Sequence, residues 1–528
     1  MEVLLPFEPR ESSVVHCFEA RVGSESASLH RHREDAPPVP PTAAERCRKM
    51  VLQAWSEVAG MRLADGLATI ARLQAEHGSA PSGKLDLEYR LLQATALALK
   101  DDAEAAVGLV QQTIKKHEAA AGHPATSLLL RLGHWRARRL EVFCDLPGTA
   151  CHVAGHRRDV LWSILHLSMD AAVEAEQLRL ASAGRLANEA LELAARFYGP
   201  KFSGARLAAT LSARILYEQN QVDAADRLIG DKLALSVSQS GIEGALCAYI
   251  TGSRIAAARG QTPFAILLLR EAEQLGEDRG WPRLVAASRA ERVRLLIEAD
   301  RIGEAQACAK LLARMPSTGG VRANDYLVAR YGAISRARLE LAQGATGHTV
   351  SSLRQVVSES RVRRECHLAV ELRMLFACAL HDVGRDDEAT AEALRAIGSG
   401  AAAGLYRTFI DGGEGMRRFL GWLYERRSGN SSILGELRPY VRNLLMGFSE
   451  SPQPTGGARS KHRSGESLSP RERHIVSLMS HGLSNKRIAR QLGITPETVK
   501  SHAKHILLKL AAQTRVEAVS RALGLGII

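Results

Sequence analysis

Two lysines and a serine near the end of this sequence are the residues best placed to do chemistry. Lys500, Ser501 and Lys504 stand in PETVKSHAKHILLKL, residues 496–510. The spacing predicts a helix in which Val499, Ala503, Ile506 and Leu510 recur at three- and four-residue steps and face a core. Glu497, Lys500, Ser501 and Lys504 then fall on the opposite side. An ammonium group on such a face can donate to guanine acceptors in a major groove, or to phosphate. The same lysines would also suit the solvated outer face of a small helical bundle.

The elements around that helix decide between the two. Ser469, Pro470 and Glu472 are spaced as a capping box with proline at the first helical position. Ile475, Leu478 and Met479 give the helix that follows an apolar stripe, and Gly482 is suited to end it with left-handed backbone angles. A second helix starts after Ser484 and turns Ile488, Ala489 and Leu492 inward. Gly493 makes the turn. Thr495 caps the lysine-bearing helix, again with proline, Pro496, at its first position. Thr514 and Glu517 repeat the capping spacing for a fourth helix that can pack through Val516, Val519 and Leu523. This is helix-turn-helix order, in which the second helix of the motif enters the major groove by its N-terminal part.

The segment resembles the LuxR-type helix-turn-helix. SPRE at 469–472, SNKRIA at 484–489 and TVKSH at 498–502 match that family's pattern, as do Lys509–Leu510 and R-x-E-A at 515–518. The resemblance implies a four-helix domain whose third helix reads the major groove, with Lys500, Ser501 and Lys504 at base-facing positions. It further implies DNA-backbone contacts from Thr495, Thr498, Asn485 and Lys486, and a dimer contact through the fourth helix. Arg487 departs from the pattern, which often has Glu there. A capping partner is lost and a positive charge gained.

Charge agrees. From Gly456 onward there are thirteen Lys or Arg against four Glu and no Asp, a net +9 of the +13 on the whole chain. Concentrated positive charge supplies the salt-dependent attraction to phosphate on which groove reading is built. Those residues include no Phe, Tyr or Trp, so base stacking is not on offer, which argues against single-stranded or RNA targets.

At 528 residues the chain should hold more than one domain. It is rich in Ala and Leu, poor in aromatics and helical in period almost throughout, so the fold class is all-α. No apolar run approaches the roughly 18 residues that span a bilayer, and MEVLLPFEPRESS is not a secretory signal. The eight cysteines are scattered and suit a reducing cytoplasm. Residues 1–41 lack a period and read as a disordered tail. His30 and His32 within it suit a flexible basic segment better than a metal site.

Residues 42–448 read as a series of helix pairs. The joints are LALKDDAEAAV, LYEQNQVDAADRLI, AAARGQTPFAILLL, IEADRIGEAQACA and HDVGRDDEATAEAL. Each is a helix end, a short polar or glycine turn, and a second helix with a small residue early. Ala225, Ala265 and Ala305 are 40 apart, Ala389 follows after room for a unit jointed at Gly344, and Ala105 lies 120 before Ala225. That period is longer than the ~34 residues of a standard tetratricopeptide unit. Such TPR-like repeats stack into a superhelix with a concave binding face. The region resembles the helical repeats of MalT-like regulators. Gly404, Arg407, Phe409 and Asp411 in GLYRTFIDGG match the motif that closes those repeats. The resemblance implies a sensor for an inducer or a protein partner; an inert spacer is the plainer possibility.

Catalytic patterns are poor. GSAPSGKL, residues 78–85, spaces Gly78, Gly83 and Lys84 like a phosphate loop, but Leu85 cannot ligate magnesium and the preceding LATIARLQAEH is helical rather than a buried strand. It reads as a turn between helices. Cys144, Cys151, His152 and His156 match no standard zinc spacing. No H-E-x-x-H or G-x-S-x-G occurs. Residues 449–467 are rich in Ser, Pro and Gly and read as a flexible linker, with a reach of about 25 Å.

The expectation is therefore an all-α, cytoplasmic, bacterial transcription regulator, not an enzyme, with no cofactor, metal or membrane contact. A repeat sensor at 42–448 would control a helix-turn-helix head at 468–528 that binds double-stranded DNA as a homodimer. The alternatives are a repeat scaffold localised on DNA and a signalling ATPase.

Overall fold

The computed structural model describes residues 43–450 and 468–527, except 60–62, 77–83, 100, 138–139, 147–156, 200–204, 230–240, 316–322, 345, 363–365, 429–430, 469, 493, 511, 513 and 525–526. The expected tail at 1–41 lies outside those residues. So does nearly all of the expected linker, although one helix runs to Glu450, two residues into it.

The helices in chain order are α1 (Ala43–Ala59), α2 (Leu63–Glu76), α3 (Lys84–Leu99), α4 (Ala103–Lys116), α5 (Pro124–Arg136), α6 (Leu140–Asp145), α7 (Arg157–Glu176) and α8 (Leu180–Tyr198). Then come α9 (Arg206–Glu218), α10 (Val222–Ile229), α11 (Ile242–Ala258), α12 (Thr262–Arg279), α13 (Pro282–Glu298), α14 (Ile302–Ala313), α15 (Ala323–Gln343) and α16 (Gly347–Val362). The repeats finish with α17 (Cys366–Asp382), α18 (Asp386–Ala403), α19 (Arg407–Ile410), α20 (Gly413–Glu425) and α21 (Arg438–Glu450). The head holds α22 (Pro470–Ser480), α23 (Asn485–Leu492), α24 (Pro496–Lys509) and α25 (Arg515–Gly524). A two-residue antiparallel pair, Arg427–Ser428 with Ser431–Ser432, is the strand content among the described residues. The all-α class holds.

The chain divides into two compact units. One takes in residues up to Trp135 with Glu141–His166 and Ala190–Ala205. Its core gathers Val51, Trp55, Leu91, Leu92, Val110 and Leu129. Trp55 meets Trp162 edge-on at 5.8 Å and donates its indole N–H to Glu88 at 2.9 Å. Asp86 is buried, which alone would raise its pKa, but Lys116, His117 and Arg90 surround it and hold it at about 2.

The second unit takes in Arg136–Leu140, Leu167–Glu189 and everything from Arg206 onward. Its helix pairs share one joint. Leu178, Asn220, Gly260, Asp300, Gly344 and Gly384 all have positive φ, from +56° to +97°. Where both partners are described, the next N–H bonds the carbonyl five residues back: Arg179 to Glu174, Gln221 to Leu216, Gln261 to Ala256, Arg301 to Leu296 and Arg385 to Leu380. These bonds use carbonyls that the helix end leaves without partners. Five residues after the left-handed position comes a buried alanine, Ala183, Ala225, Ala265, Ala305 or Ala389. A small side chain there lets the second helix pack close against the first. At Gly344 the corresponding position is the buried Thr349.

The joint at Asp101 in the first unit has the same build, with Asp102 N–H on Leu97 and φ +65° at Asp101. It corrects the sequence expectation by one residue. Ala105 is exposed and Ala106 is the buried alanine, because register is counted from the left-handed residue.

The last-repeat motif closes the second unit on itself. Ala175, Leu180 and Ile215 share a core with Phe376, Ile397, Phe409 and Leu444. Gly404 ends α18 at φ +72°, and Phe409 packs so tightly on Gly400 that a Cβ there would stand 2.5 Å from the ring. Tyr406 N–H donates to the Glu218 carbonyl at 2.7 Å, and Thr408 donates its backbone N–H and hydroxyl to the Glu218 carboxylate. Arg407 pairs with Asp411 at 2.7 Å. The family-matched Arg407, Phe409 and Asp411 are all buried.

Candidate nucleic-acid interface

The head is built around its capping residues. Ser484 Oγ accepts from Arg487 N–H at 3.4 Å and starts α23. Thr495 Oγ accepts from Thr498 N–H at 3.2 Å, and the two hydroxyls share a 2.8 Å bond at the start of α24. Thr514 Oγ accepts from Glu517 N–H at 3.1 Å and starts α25. Gly482 ends α22 at φ +77°. Each of these residues does what its type and place in the sequence predict. Ser469 lies outside the described residues. Its expected partner Glu472 is buried and receives Lys509 Nζ at 2.9 Å, tying α22 to α24.

Burial then divides α24 into two sides. Val499, Ile506 and Leu510 are buried in the head's core and Ala503 packs against it. Thr495, Thr498 and Lys500 are exposed. Ser501 and Lys504 lie within α24, Lys504 one turn beyond Lys500, or about 6 Å along the axis; their side chains fall outside the described ones. Lys486 is exposed near the start of α23. Thr495, Thr498, Lys500 and Lys486 thus sit exposed at the N-terminal ends of the two motif helices.

Asn485 is drawn inward. Its Oδ1 accepts from Arg515 Nη1 at 3.0 Å, and Arg515 also donates to the Leu483 carbonyl. Arg515 therefore fastens α25 to the turn before α23, a role that the motif R-x-E-A marks but does not explain. Leu523 is corrected too: it is 37% exposed, and Ala522 fills the head's core in its place. The departure at Arg487 also acquires a partner, Gln274 Oε1 of α12, at 3.1 Å.

The phosphate-loop likeness does not sit on a strand. Helix α2 ends at Glu76 and Lys84 opens α3, with residues 77–83 outside the described ones. Cys151, His152 and His156 also lie outside them. Among the described residues no group of three or more His, Cys, Asp or Glu is placed to hold a metal ion. None of the described helices is long and apolar enough to cross a membrane.

Comparison with known proteins agrees with this geometry. Residues 148–426, just over half the chain, match the family described as the MalT-like TPR region. Residues 466–522 match the bacterial regulatory proteins of the luxR family. Over 51 residues the chain is 57% identical to the nitrate/nitrite response regulator protein NarL of Escherichia coli K12, covering 10% of this chain and 24% of that one. Over 54 residues it is 48% identical to the monoamine regulon transcriptional regulator of Klebsiella aerogenes, again 10% of this chain and 24% of that one. An HTH-type transcriptional regulator named in Mycobacterium tuberculosis H37Rv is 48% identical over 56 residues, 11% of this chain and 6% of that one. The chain thus spans a quarter or less of the length of these relatives.

Proposed function

The chain belongs to the family carrying a MalT-like TPR region, and from that premise we propose that it regulates transcription, its head reading duplex DNA under control of the repeats. The observation that carries this is the division of α24, with Val499 buried and Thr495, Thr498 and Lys500 exposed at its N-terminal part. Lys500, Ser501 and Lys504 are the residues for base edges. Thr495, Thr498 and Lys486 are those for the DNA backbone. Asn485 joins them only through what its bond to Arg515 leaves over.

Two heads bind a two-fold site, in contact through α25. The repeats are the sensor, taking an inducer or a protein partner. No enzymatic step belongs to this reading: the residues nearest to a nucleotide site, Lys84 and Leu85, open a helix that follows a helix. The test is selection of duplexes from a random pool by the full chain, followed by titration at several salt concentrations. An enriched two-fold site whose affinity falls steeply with salt is expected. Failure to enrich any sequence, with salt-independent binding, would sink the proposal.

A further inference from the structure

A cavity of about 260 Å³ lies where α25 packs on α12. Arg270 of α12 donates to the Ser480 carbonyl at 3.3 Å, and Gln274 accepts from Arg487 at 3.1 Å. Polar bonds as well as apolar contact therefore hold the two walls together. Leu267 and Leu275 line the cavity from the repeats, and Met479, Leu483, Val516 and Val519 line it from the head. Asp278 belongs to the lining and is exposed, so the cavity reaches solvent. An apolar cavity of about 150 Å³ takes a benzene ring. This one has room for a molecule the size of leucine.

Two opposite charges share this apolar space. Glu271 of α12 and Arg515 of α25 both line it. They attract one another but form no ion pair. Among the described residues, the Glu271 carboxylate accepts from the neutral Tyr249 hydroxyl, at 3.3 Å, and has no cation paired with it. Arg515 donates to two neutral oxygens, Asn485 Oδ1 at 3.0 Å and the Leu483 carbonyl, which leaves N–H groups over. Burial pushes the Glu271 carboxyl up and the Arg515 guanidinium down. Glu243 and Glu291, comparably enclosed, sit against arginines that hold them low. Glu271 and Arg515 are thus charges taken from water without a paired counter-charge, a costly state until a partner arrives.

We infer that this cavity is the site of an α-amino acid with an apolar, leucine-sized side chain. Its ammonium meets Glu271, its carboxylate takes the N–H groups that Arg515 leaves over, and its side chain lies among Leu267, Met479, Val516 and Val519. The choice of a zwitterion follows from the two charged walls. An amine would answer Glu271 and leave Arg515 as it is. A carboxylic acid would answer Arg515 but set a second negative charge near Glu271. An uncharged apolar ligand would drive out the water around both groups and give neither a partner. An α-amino acid supplies both charges, and its side chain replaces water against the apolar lining. As an inducer it rests on the sensor role proposed above, whereas its binding needs no DNA.

The experiment is calorimetric titration of the full chain without DNA, with leucine as the probe. Two relatives serve as controls: isocaproate, which lacks the ammonium, and isoamylamine, which lacks the carboxylate. Leucine is expected to bind saturably, and each relative about tenfold or more weakly. Glu271→Gln keeps the shape of the side chain and an acceptor for Tyr249. It should weaken leucine binding about tenfold and leave isocaproate bound no more weakly than before, with circular dichroism showing an unchanged fold. The comparison of ligands uses the unmodified chain, so it decides the matter even where the variant misfolds. No saturable heat with leucine, a relative that binds as tightly, or a folded Glu271→Gln chain that keeps its leucine affinity would each overturn the site. Saturable leucine binding by a chain that selects no duplex would uphold the site and sink the DNA reading. Duplex selection without any leucine binding would do the reverse.

Discussion

Tyr217 and Asp411 stand 194 positions apart in the chain, yet the Tyr217 hydroxyl donates to the Asp411 carboxylate at 3.0 Å in the buried interior of the repeats. Arg407 completes the group, pairing with Asp411 and lying over the Tyr217 ring with its guanidinium carbon 5.0 Å from the centroid. Arg294 adds a bond to the Asp411 carbonyl. The pair joins α9 to the segment just before α20. The helix pairs between those two points are thereby closed by polar contacts as well as by apolar packing.

Removing Asp411 should therefore cost more than removing the tyrosine hydroxyl. Asp411→Ala leaves the Arg407 charge buried without its carboxylate, a loss of about 3–5 kcal/mol. Tyr217→Phe removes a donor while Arg407 still satisfies Asp411, and should cost about 1–3 kcal/mol. Thermal unfolding followed by circular dichroism would rank the two. Equal, small shifts would show that this group does not hold the repeats closed.

Stability should fall in two steps as pH is lowered. His166 is held at about 4, first by burial and then by Arg131, whose Nη1 is 3.3 Å away. Below about 6.5 the unfolded chain takes up this proton and the folded one does not. The stabilisation is thus complete above pH 6.5 and is lost down to about pH 4, roughly 3 kcal/mol in all. Glu243 contributes to the second step, with Asp86 and Glu218, which are likewise held at about 2. Burial raises the pKa of Glu243, but Arg283 and Arg136 more than offset this and hold it at about 2. Its contribution is present above about pH 4.5 and is lost as the pH falls toward 2. His166→Gln should flatten the first step and leave the second, as read from melting temperature against pH.

Local rules made most of the head and the helix pairs legible. Ser484, Thr495 and Thr514 cap as their types predict because capping is decided within three residues. Gly260, Gly344 and Gly384 mark their joints for the same reason. Leu178 and Asp300 hold the same left-handed backbone without being glycine, so no residue type announced the joint between α7 and α8. The one-residue shift from Ala105 to Ala106 is what pattern reading cannot fix without the turn geometry. Long-range contacts were invisible altogether. Arg270 meets Ser480 across 210 positions and Arg487 meets Gln274 across 213, and nothing local in either segment signals the other.

The Gly78–Leu85 segment should bind no magnesium nucleotide. A phosphate loop needs a strand before it and a hydroxyl after the lysine. Here α2 precedes, and Lys84 and Leu85 are the first residues of α3. Calorimetry with magnesium-ATP should show no heat of binding at micromolar concentration. Micromolar affinity that disappears in Lys84→Ala would restore the signalling-ATPase alternative.

The recognition helix gives the sharpest prediction because its two sides should fail differently. Val499 is fully buried in the head's core. Val499→Asp places a charge there without a partner and should unfold the head, visible as loss of helical signal along with loss of DNA binding. Lys500 is exposed on the other side, and Lys504 follows one turn later. Lys500→Ala or Lys504→Ala should leave the fold intact and weaken binding to the selected duplex by roughly 1–3 kcal/mol where that lysine reads a base. Where it meets only phosphate, the loss should be the same on any sequence, and the salt slope should shrink by about one unit. Titrations of the full chain on selected and random duplexes at several salt concentrations separate the two cases. A folded Lys500→Ala, Lys504→Ala double variant that binds its selected duplex as tightly as the unmodified chain would mean that α24 does not enter the groove.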